Sequence, residues 1–306
     1  MNSRFDPATG FFIDVRPRTF PWVNVILFLV TCLSTMFVGA LLTAGFQQDA
    51  ALDAAFDNLL KQPSTLFQGI PFCIAIMSIL FAHEMGHYLT CRYYGIDASL
   101  PYFIPFPLSP VGTMGAFIKI RSPIYDRASL LEMGVAGPIA GFVVALLILI
   151  ASMGQARFIN LNPITEGIYG YGEPIIFKAV KNLMGMAPPA GMDIYPHPVS
   201  FAAWFGFLAT ALNLLPAAQL DGGHITYALF RRYHKWVSWA VVITLLPLAI
   251  FYWPGWFVWI TLLLLLKLRH PPTIDDDIPL QPRQVILGII GYVLLMLCFT
   301  PAPFTF

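Results

Sequence analysis

The pentapeptide His83-Glu84-Met85-Gly86-His87 lies near the end of an apolar stretch that runs from Leu66 to Tyr94. On a helix, two histidines four residues apart share one face, so both imidazoles can reach one metal ion. Zinc accepts histidine nitrogens and, in catalytic sites, takes three protein ligands and a water. Glu84, beside the first histidine, is placed to take a proton from that water rather than to bind metal. The pattern predicts a site for one Zn²⁺ per chain within a membrane-spanning helix.

The composition places the chain in a lipid bilayer. Of its 306 residues, 58% are hydrophobic and 11% are charged, whereas about a quarter of the residues of a soluble domain are charged. Several windows of about 18 or more residues carry few charges, which is enough to cross a hydrocarbon layer of about 30 Å. The net charge of +1 and the lack of a basic run argue against a nucleic-acid partner. The sequence specifies no oligomeric state.

The four cysteines lie scattered in apolar segments without paired spacing; they are Cys32, Cys73, Cys91 and Cys298. We therefore expect small buried side chains rather than a disulfide framework or a cysteine metal cluster.

Hydrophobic runs and basic clusters predict an all-α polytopic membrane protein. It has about six to seven transmembrane helices, with a membrane re-entrant β-hairpin-like loop after the second. The basic clusters place the N-terminus and the metal site toward the cytoplasm. The predicted divisions are a cytoplasmic N-terminal segment (1–20), a core (21–230) and C-terminal transmembrane helices (231–306). Within the core we predict the second span at 66–94, the re-entrant loop at 96–121, the third span at 128–153, an external loop at 154–198 and the fourth span at 199–230.

The predicted re-entrant loop combines an apolar composition with helix-breaking residues. Four prolines and two glycines interrupt it, which excludes a helix. Residues 116–121 alternate weakly with a period of two, as a strand does. Irregular backbone at membrane depth is tolerated only against protein or water, so we interpret the segment as a hairpin that returns toward the metal site. An ordinary cytoplasmic loop is the alternative.

Asp221 is the best candidate for a third metal ligand. A carboxylate within a span needs a partner, and a metal is the strongest one available. The span that contains it is broken by Pro216 and loosened by Gly222 and Gly223. His87 and Asp221 both fall near the cytoplasmic ends of antiparallel spans, which gives them similar depths. A helix cap before a turn is the alternative reading of Asp221.

Asn213 lies two turns before Asp221, at about the same helical angle. Its amide could donate a hydrogen bond to a substrate carbonyl or a developing oxyanion, and an interhelical hydrogen bond is the open alternative. We interpret His224 as solvated at the membrane edge, with at most a minor role beside the site.

The pentapeptide together with Asn213-Leu214-Leu215-Pro216-Ala217-Ala218-Gln219-Leu220-Asp221-Gly222 resembles the motifs of the site-2 protease family of intramembrane zinc metalloproteases. The segment from Gly112 to Ile118 resembles that family's re-entrant hairpin, and the resemblance extends over about residues 20 to 225. It is closest to a branch without a PDZ domain that has bacterial and plastid members. The resemblance implies His83, His87 and Asp221 as zinc ligands and Glu84 as catalytic base. It also implies Asn213 as a substrate-positioning residue.

The resemblance further implies that the substrate is a membrane-anchored protein, cleaved within or beside its span in the bilayer. We expect a bacterial inner membrane as the location. A hairpin edge from about Gly112 to Ile120 could bind the unwound substrate by strand addition, with Gly115 and Ala116 as contacts. One alternative is a metal-ion transporter, but no second set of intramembrane ligands offers a path and Glu84 would lack a role. A catalytically inactive scaffold is the other alternative.

Overall fold

The computed structural model describes residues 3–6, 11–14, 21–48, 52–160, 170–189 and 191–305. Much of the predicted N-terminal segment 1–20 and part of the predicted external loop 154–198 lie outside the described residues. The α-helices are α1 Trp22–Gln48, α2 Leu52–Lys61, α3 Ile70–Tyr93, α4 Arg127–Met153, α5 Ile175–Leu183, α6 Pro198–Asn213, α7 Asp221–Phe230, α8 His234–Phe251, α9 Trp256–Leu265 and α10 Pro282–Cys298. The strands are β1 Ser3–Asp6, β2 Phe11–Asp14, β3 Tyr102–Pro105, β4 Thr113–Phe117, β5 Arg157–Asn160, β6 Gly170–Tyr171, β7 Met192–Tyr195 and β8 Phe304–Thr305. Short 3₁₀ helices at Pro63–Gly69 and Arg231–Tyr233 precede α3 and α8.

The fold is mostly helical, as predicted. Within the described residues, four helical segments are long and apolar enough to cross a membrane; they are Trp22–Gln47, Pro63–Tyr93, Arg127–Met153 and Asp221–Phe251. Three shorter apolar helices are Pro198–Asn213, Trp256–Leu265 and Pro282–Cys298. The predicted number of six to seven spans stays a prediction. Many large apolar side chains are exposed on these helices, as expected of surfaces that lipid covers.

Helix α4 occupies the centre of the helical bundle, where it contacts α3, α6, α7 and α10. Its closest neighbour is α3. A Cβ atom on Gly86 of α3 would overlap the backbone carbonyl of Ala136 in α4. Small residues therefore let the two helices approach closely at this contact.

A β-hairpin follows α3, and residues 96–121 contain no helix. Strands β3 and β4 are antiparallel, with Tyr102 opposite Phe117 and Phe103 opposite Ala116. The predicted strand at 116–121 is misplaced, because β4 covers Thr113–Phe117 and Ile120 makes only an isolated bridge to Ala98. The two strands pair close to the turn that joins them. This turn requires a positive φ of 80°, which Gly112 adopts without strain.

The hairpin is docked on α1. The side-chain amide of Asn24 donates hydrogen bonds of 2.9 Å to the carbonyls of Leu100 and Pro101. Further along α1, the Ser34 hydroxyl donates to the carbonyl of Gly112 at 2.6 Å. These bonds hold both ends of the hairpin against one helix. Whether the hairpin enters the membrane stays a prediction.

The predicted fourth span contains two helices rather than one. Helix α6 ends at Asn213, residues 214–220 are not helical, and α7 begins at Asp221. The interpretation that Asn213 and Asp221 share a helical angle is therefore wrong. Gly222 and Gly223 do not loosen this segment, because a Cβ on either would overlap the carbonyl oxygen of Leu214 or Ala218. They allow the connecting loop to fold tightly onto the start of α7.

The connection between α9 and α10, residues 266–281, returns to the start of α4. The backbone amides of Ile274 and Asp275 donate to the carbonyls of Ile124 and Tyr125 at 3.1 and 2.8 Å. The Arg127 guanidinium donates to the carbonyl of Ile278 at 2.9 Å. We call residues 266–281 the return segment; it brings His270 beside α7.

Candidate metal centre

Helices α3 and α7 bring three potential ligand atoms together. Nε2 of His83 lies 3.1 Å from Nε2 of His87. Oδ2 of Asp221 lies 3.2 Å from the first of these nitrogens and 3.3 Å from the second. Donor atoms around a tetrahedral zinc ion with bonds of about 2.0–2.1 Å are separated by roughly 3.3–3.4 Å. The triangle therefore has the right size to hold one such ion, and it is the only group of three metal-binding side chains in the described residues.

A backbone carbonyl orients the His87 ring. Its Nδ1 lies 2.8 Å from the carbonyl oxygen of Met133 in α4. A carbonyl only accepts, so Nδ1 carries the proton and, in the neutral ring, Nε2 carries the lone pair. That lone pair faces an Asp221 oxygen, and two acceptors at this distance repel each other unless a cation lies between them. The hydrogen bond to the second ring nitrogen is typical of metal-binding histidines.

Glycines of α4 make room for both imidazoles. A Cβ on Gly137 would overlap Nε2 of His87, and a Cβ on Gly141 would lie 3.2 Å from Nδ1 of His83. A run of small residues in α4, from Gly134 to Gly141, is typical of close helix packing. Its contact with the metal-binding side chains could not be foreseen, because it depends on how α4 is rotated against α3.

A cavity of about 230 Å³ opens beside the three ligand atoms. Its walls include Asn213 and Ala116, two of the predicted substrate-binding residues, as well as Gln219 and Leu220 from the loop before α7. Gly115, the third predicted contact, is next to this wall and has φ of 96°. The sequence analysis gave no role to Gln219 or Leu220. Their placement follows from the tight loop after Pro216.

Two polar groups flank the triangle without belonging to it. The Glu84 side chain is buried on α3, and its carboxylate interacts with the backbone amide of Ile118, just after β4. On the other side, Nδ2 of Asn213 donates toward Nε2 of His83 at 3.3 Å. The structure thus brings together five residues singled out from the sequence: His83, Glu84, His87, Asn213 and Asp221. The hairpin, α3, α6 and α7 all contribute to one site.

The interpretation of His224 as a solvated side chain is wrong. His224 is half-buried, it lines the cavity, and its Nδ1 lies 2.6 Å from Nε2 of His270. His234 packs on the His270 ring, with 5.7 Å between the two ring centroids. Sequence spacing gave no signal for this cluster, because the return segment supplies one member from 46 residues away.

Several known proteins named as probable zinc metalloproteases are similar to this chain. Residues 71–250, more than half of the chain, match the model of peptidase family M50. The chain is 29% identical over 259 residues to a "Probable zinc metalloprotease EGY2, chloroplastic" of Arabidopsis thaliana, covering 83% of this chain and 45% of that protein. It is 28% identical over 282 residues to the protein of that name from Oryza sativa subsp. indica, covering 89% and 49%. Over 168 residues it is 27% identical to a "Probable zinc metalloprotease EGY1, chloroplastic" of Arabidopsis thaliana, covering 53% and 30%. The chain spans about half the length, or less, of these curated relatives.

Proposed function

Because the chain belongs to peptidase family M50, we propose that it is a zinc metalloprotease that cleaves membrane-anchored proteins within or next to their transmembrane segments. The observation that carries the proposal is the triangle of His83, His87 and Asp221 beside an uncoordinated, buried Glu84. Two imidazoles and one carboxylate form a ligand set of catalytic zinc sites, which leaves a position for water. The apolar helices that carry the site supply the membrane setting.

The three proposed zinc ligands, Glu84 and Asn213 each have a role in this reaction. A zinc ion held by His83, His87 and Asp221 would supply Lewis-acid chemistry at this position. The Glu84 carboxylate accepts the proton released by the attacking water and returns it to the leaving amine. Contact with the Ile118 amide holds this carboxylate in place. The Asn213 amide donates to the peptide carbonyl oxygen, where negative charge develops.

The hairpin supplies a surface for the substrate backbone. β3 and β4 form a two-stranded sheet, and β3 lies against α1. In the described part of the chain no strand pairs with the other edge of β4. The end of β4 and the residue after it, residues 116–118, line the cavity. A substrate segment that adds to this edge as a strand would pass beside Glu84. Because a transmembrane helix hides its carbonyls in its own hydrogen bonds, the segment must unwind before it binds here.

A transporter that uses the same side chains finds less support. Passage of an ion through a membrane requires successive binding sites. The described residues contain a single group of three metal-binding side chains. An uncoordinated carboxylate at Glu84 also has no function in ion passage.

The substitution Glu84→Gln tests the proposed mechanism. It removes the proton acceptor and keeps the shape of the side chain and all three proposed ligands. We expect one zinc per chain, measured by elemental analysis, and a fall in peptide cleavage of about 10²- to 10⁴-fold, the usual contribution of a general base.

The matched control is Glu132→Gln, which changes a second glutamate, one that hydrogen-bonds to Gln284 at 3.1 Å. We expect this variant to cleave like the wild type. Membranes of cells expressing each protein are compared for anchored proteins that accumulate with Glu84→Gln alone. Unchanged proteolysis by Glu84→Gln would contradict the mechanism. Zinc flux without cleavage would favour the transporter.

A further inference from the structure

The return segment places His270 against the wall of the cavity, through His224. His270 lies outside residues 71–250, the part of the chain that matches the family. Its ring stacks on Tyr227 of α7, with 4.5 Å between centroids and an interplanar angle of 22°. The Tyr227 hydroxyl donates to Asp276 at 2.6 Å, and the Thr273 hydroxyl donates to the same carboxylate at 2.6 Å. These contacts fix the position of the His270 ring.

The partners of the two rings determine where their protons lie. Nδ1 of His270 bonds to the carbonyl oxygen of Pro271, which only accepts, so this nitrogen carries a proton. Burial lowers the pKa of His270 below its ordinary value, which keeps the ring neutral and leaves a lone pair on Nε2. That lone pair is 2.6 Å from Nδ1 of His224, and Nδ1 must therefore donate. In the neutral His224 ring, Nε2 is then an acceptor.

The acceptor on His224 is available to a ligand. In the part of the chain that the structure describes, no hydrogen bond reaches Nε2 of His224. The residue lines the same cavity as Glu84 and Asn213. Because Nδ1 is engaged by His270, Nε2 is the polar atom that His224 can offer to an occupant of the cavity. The complementary group is an N–H donor, which every non-proline residue of a peptide carries.

We propose that His270 is a positioning residue that holds His224 in the Nδ1–H tautomer, so that Nε2 of His224 accepts a hydrogen bond from a backbone N–H of the bound peptide. The inference rests on the proposed protease function and adds a substrate contact to it. It also makes the return segment part of the substrate site, although the sequence analysis placed residues 231–306 outside the core. Asn213 then donates a hydrogen bond to a carbonyl of the peptide backbone, whereas His224 accepts one from an N–H group.

Peptide binding tests the inference without cleavage. The protein is the full chain with Glu84→Gln in proteoliposomes, and the probe is a dansyl-labelled hydrophobic peptide of about 25 residues, long enough to span the bilayer. A series of probes each replaces one backbone amide by an ester, which removes a single N–H group. Besides any position whose N–H group pairs with β4, we expect one ester position to weaken binding by about 3- to 10-fold, as the loss of one hydrogen bond does.

Further variants assign that loss to the two histidines. Of the ester effects, only the one that His224 causes should disappear when His224→Ala or His270→Ala is added. Adding His270→Gln, which keeps an acceptor, should restore it. Zinc content should stay at one per chain in all variants, which reports that the site is folded. If every ester probe behaves alike with and without His224, the inference is wrong.

Nitrogen NMR of ¹⁵N-histidine-labelled protein examines the tautomer directly. We expect the proton of His224 on Nδ1 in the wild type and a redistribution of that proton in His270→Ala. A His224 ring protonated on Nε2 alone in the wild type would overturn the inference. The two proposals can fail separately. A wild-type protein that binds the probes with this ester pattern but cleaves nothing would contradict the protease and leave the peptide contact standing.

Discussion

The metal site requires a residue without a side chain at Gly137. It faces His87 from α4, and any Cβ at this position would overlap the ring nitrogen proposed to bind zinc. The same ring donates from Nδ1 to the carbonyl of Met133, one turn earlier in α4. Because this hydrogen bond fixes the imidazole against α4, the ring cannot move aside from a new Cβ and still meet Asp221.

The substitution Gly137→Ala should therefore remove the metal. In a helix interior, alanine gains about 1 kcal/mol over glycine, but insertion of an extra methyl group into a packed contact costs about 1–3 kcal/mol. Since the displaced atom is a ligand, we expect zinc content well below one per chain and loss of cleavage. Gly154→Ala, at the end of the same helix, has nothing within 4 Å of the added atom and should behave like the wild type. Full zinc occupancy in Gly137→Ala would contradict this role.

Single residues also show how far the sequence could predict the site. The pentapeptide predicted the positions of His83, Glu84 and His87, because local helical spacing alone puts them on one turn. Backbone groups such as the carbonyl of Met133 leave no trace in the sequence. Contacts between distant segments, such as His224 with His270, depend on the path of the return segment, which spacing does not encode.

Two irregular segments, the loop 214–220 and the hairpin, complete the site that the helices form. The loop 214–220 sets Asp221 at the start of α7 and leaves Asn213 at the end of α6. Pro216 predicts this break, but a shared helical angle for Asn213 and Asp221 requires continuous helical geometry across it, which the loop does not have. The hairpin was predicted from its prolines and glycines, whereas its strand boundary was misplaced. Turn residues identify such segments, but the exact pairing depends on their docking to α1.

The docking of the hairpin on α1 can be broken at Gly112. Its φ is 80°, and a Cβ there would lie 2.6 Å from the carbonyl oxygen of Ser34 and 2.7 Å from Cα of Thr35. Gly112→Ala therefore combines a left-handed backbone cost of about 1–2 kcal/mol with a clash against a helix backbone. We expect zinc to stay bound, because the hairpin gives no ligand, while cleavage falls by about 10²-fold from misplacement of the substrate edge.

Leu108→Ala is the control for this experiment, because that side chain is 85% exposed near the tip of the hairpin. Cleavage should be unchanged in this variant. If Gly112→Ala cleaves normally, the hairpin does not bind substrate. If it loses zinc together with activity, the hairpin supports the metal site rather than the substrate.

The two ends of the helical bundle differ in the number of basic side chains that they carry. At one end the return segment meets the start of α4, and Arg231 pairs with Asp277 at 3.0 Å. At the other end the Ser152 and Ser200 hydroxyls join α4 to α6 at 2.8 Å, and β6 pairs with β8. The first end carries most of the basic side chains; they are Arg92, Arg121, Arg127, Arg231, Arg232, Lys235, Lys267, Arg269 and Arg283. The second carries Lys61, Arg157, Lys178 and Lys181.

This asymmetry predicts the orientation of the protein, because loops rich in lysine and arginine stay on the cytoplasmic side. Asp277→Cys and Leu183→Cys each place a thiol on one end, at side chains that are 91% and 86% exposed. With a membrane-impermeant maleimide, we expect Asp277→Cys to react only from the cytoplasmic side and Leu183→Cys only from the opposite side. The wild type is the control, since its own cysteines are buried or half-buried. Labelling of both from one side would contradict spanning by α4, and the reverse pattern would contradict the orientation. Helix α6 begins at the second end and ends at Asn213, and the shorter helix α7 runs from Asp221 to the first end. The site between them is therefore nearer to the first end. The expected labelling pattern would put that end, and water that can reach Glu84, on the cytoplasmic side.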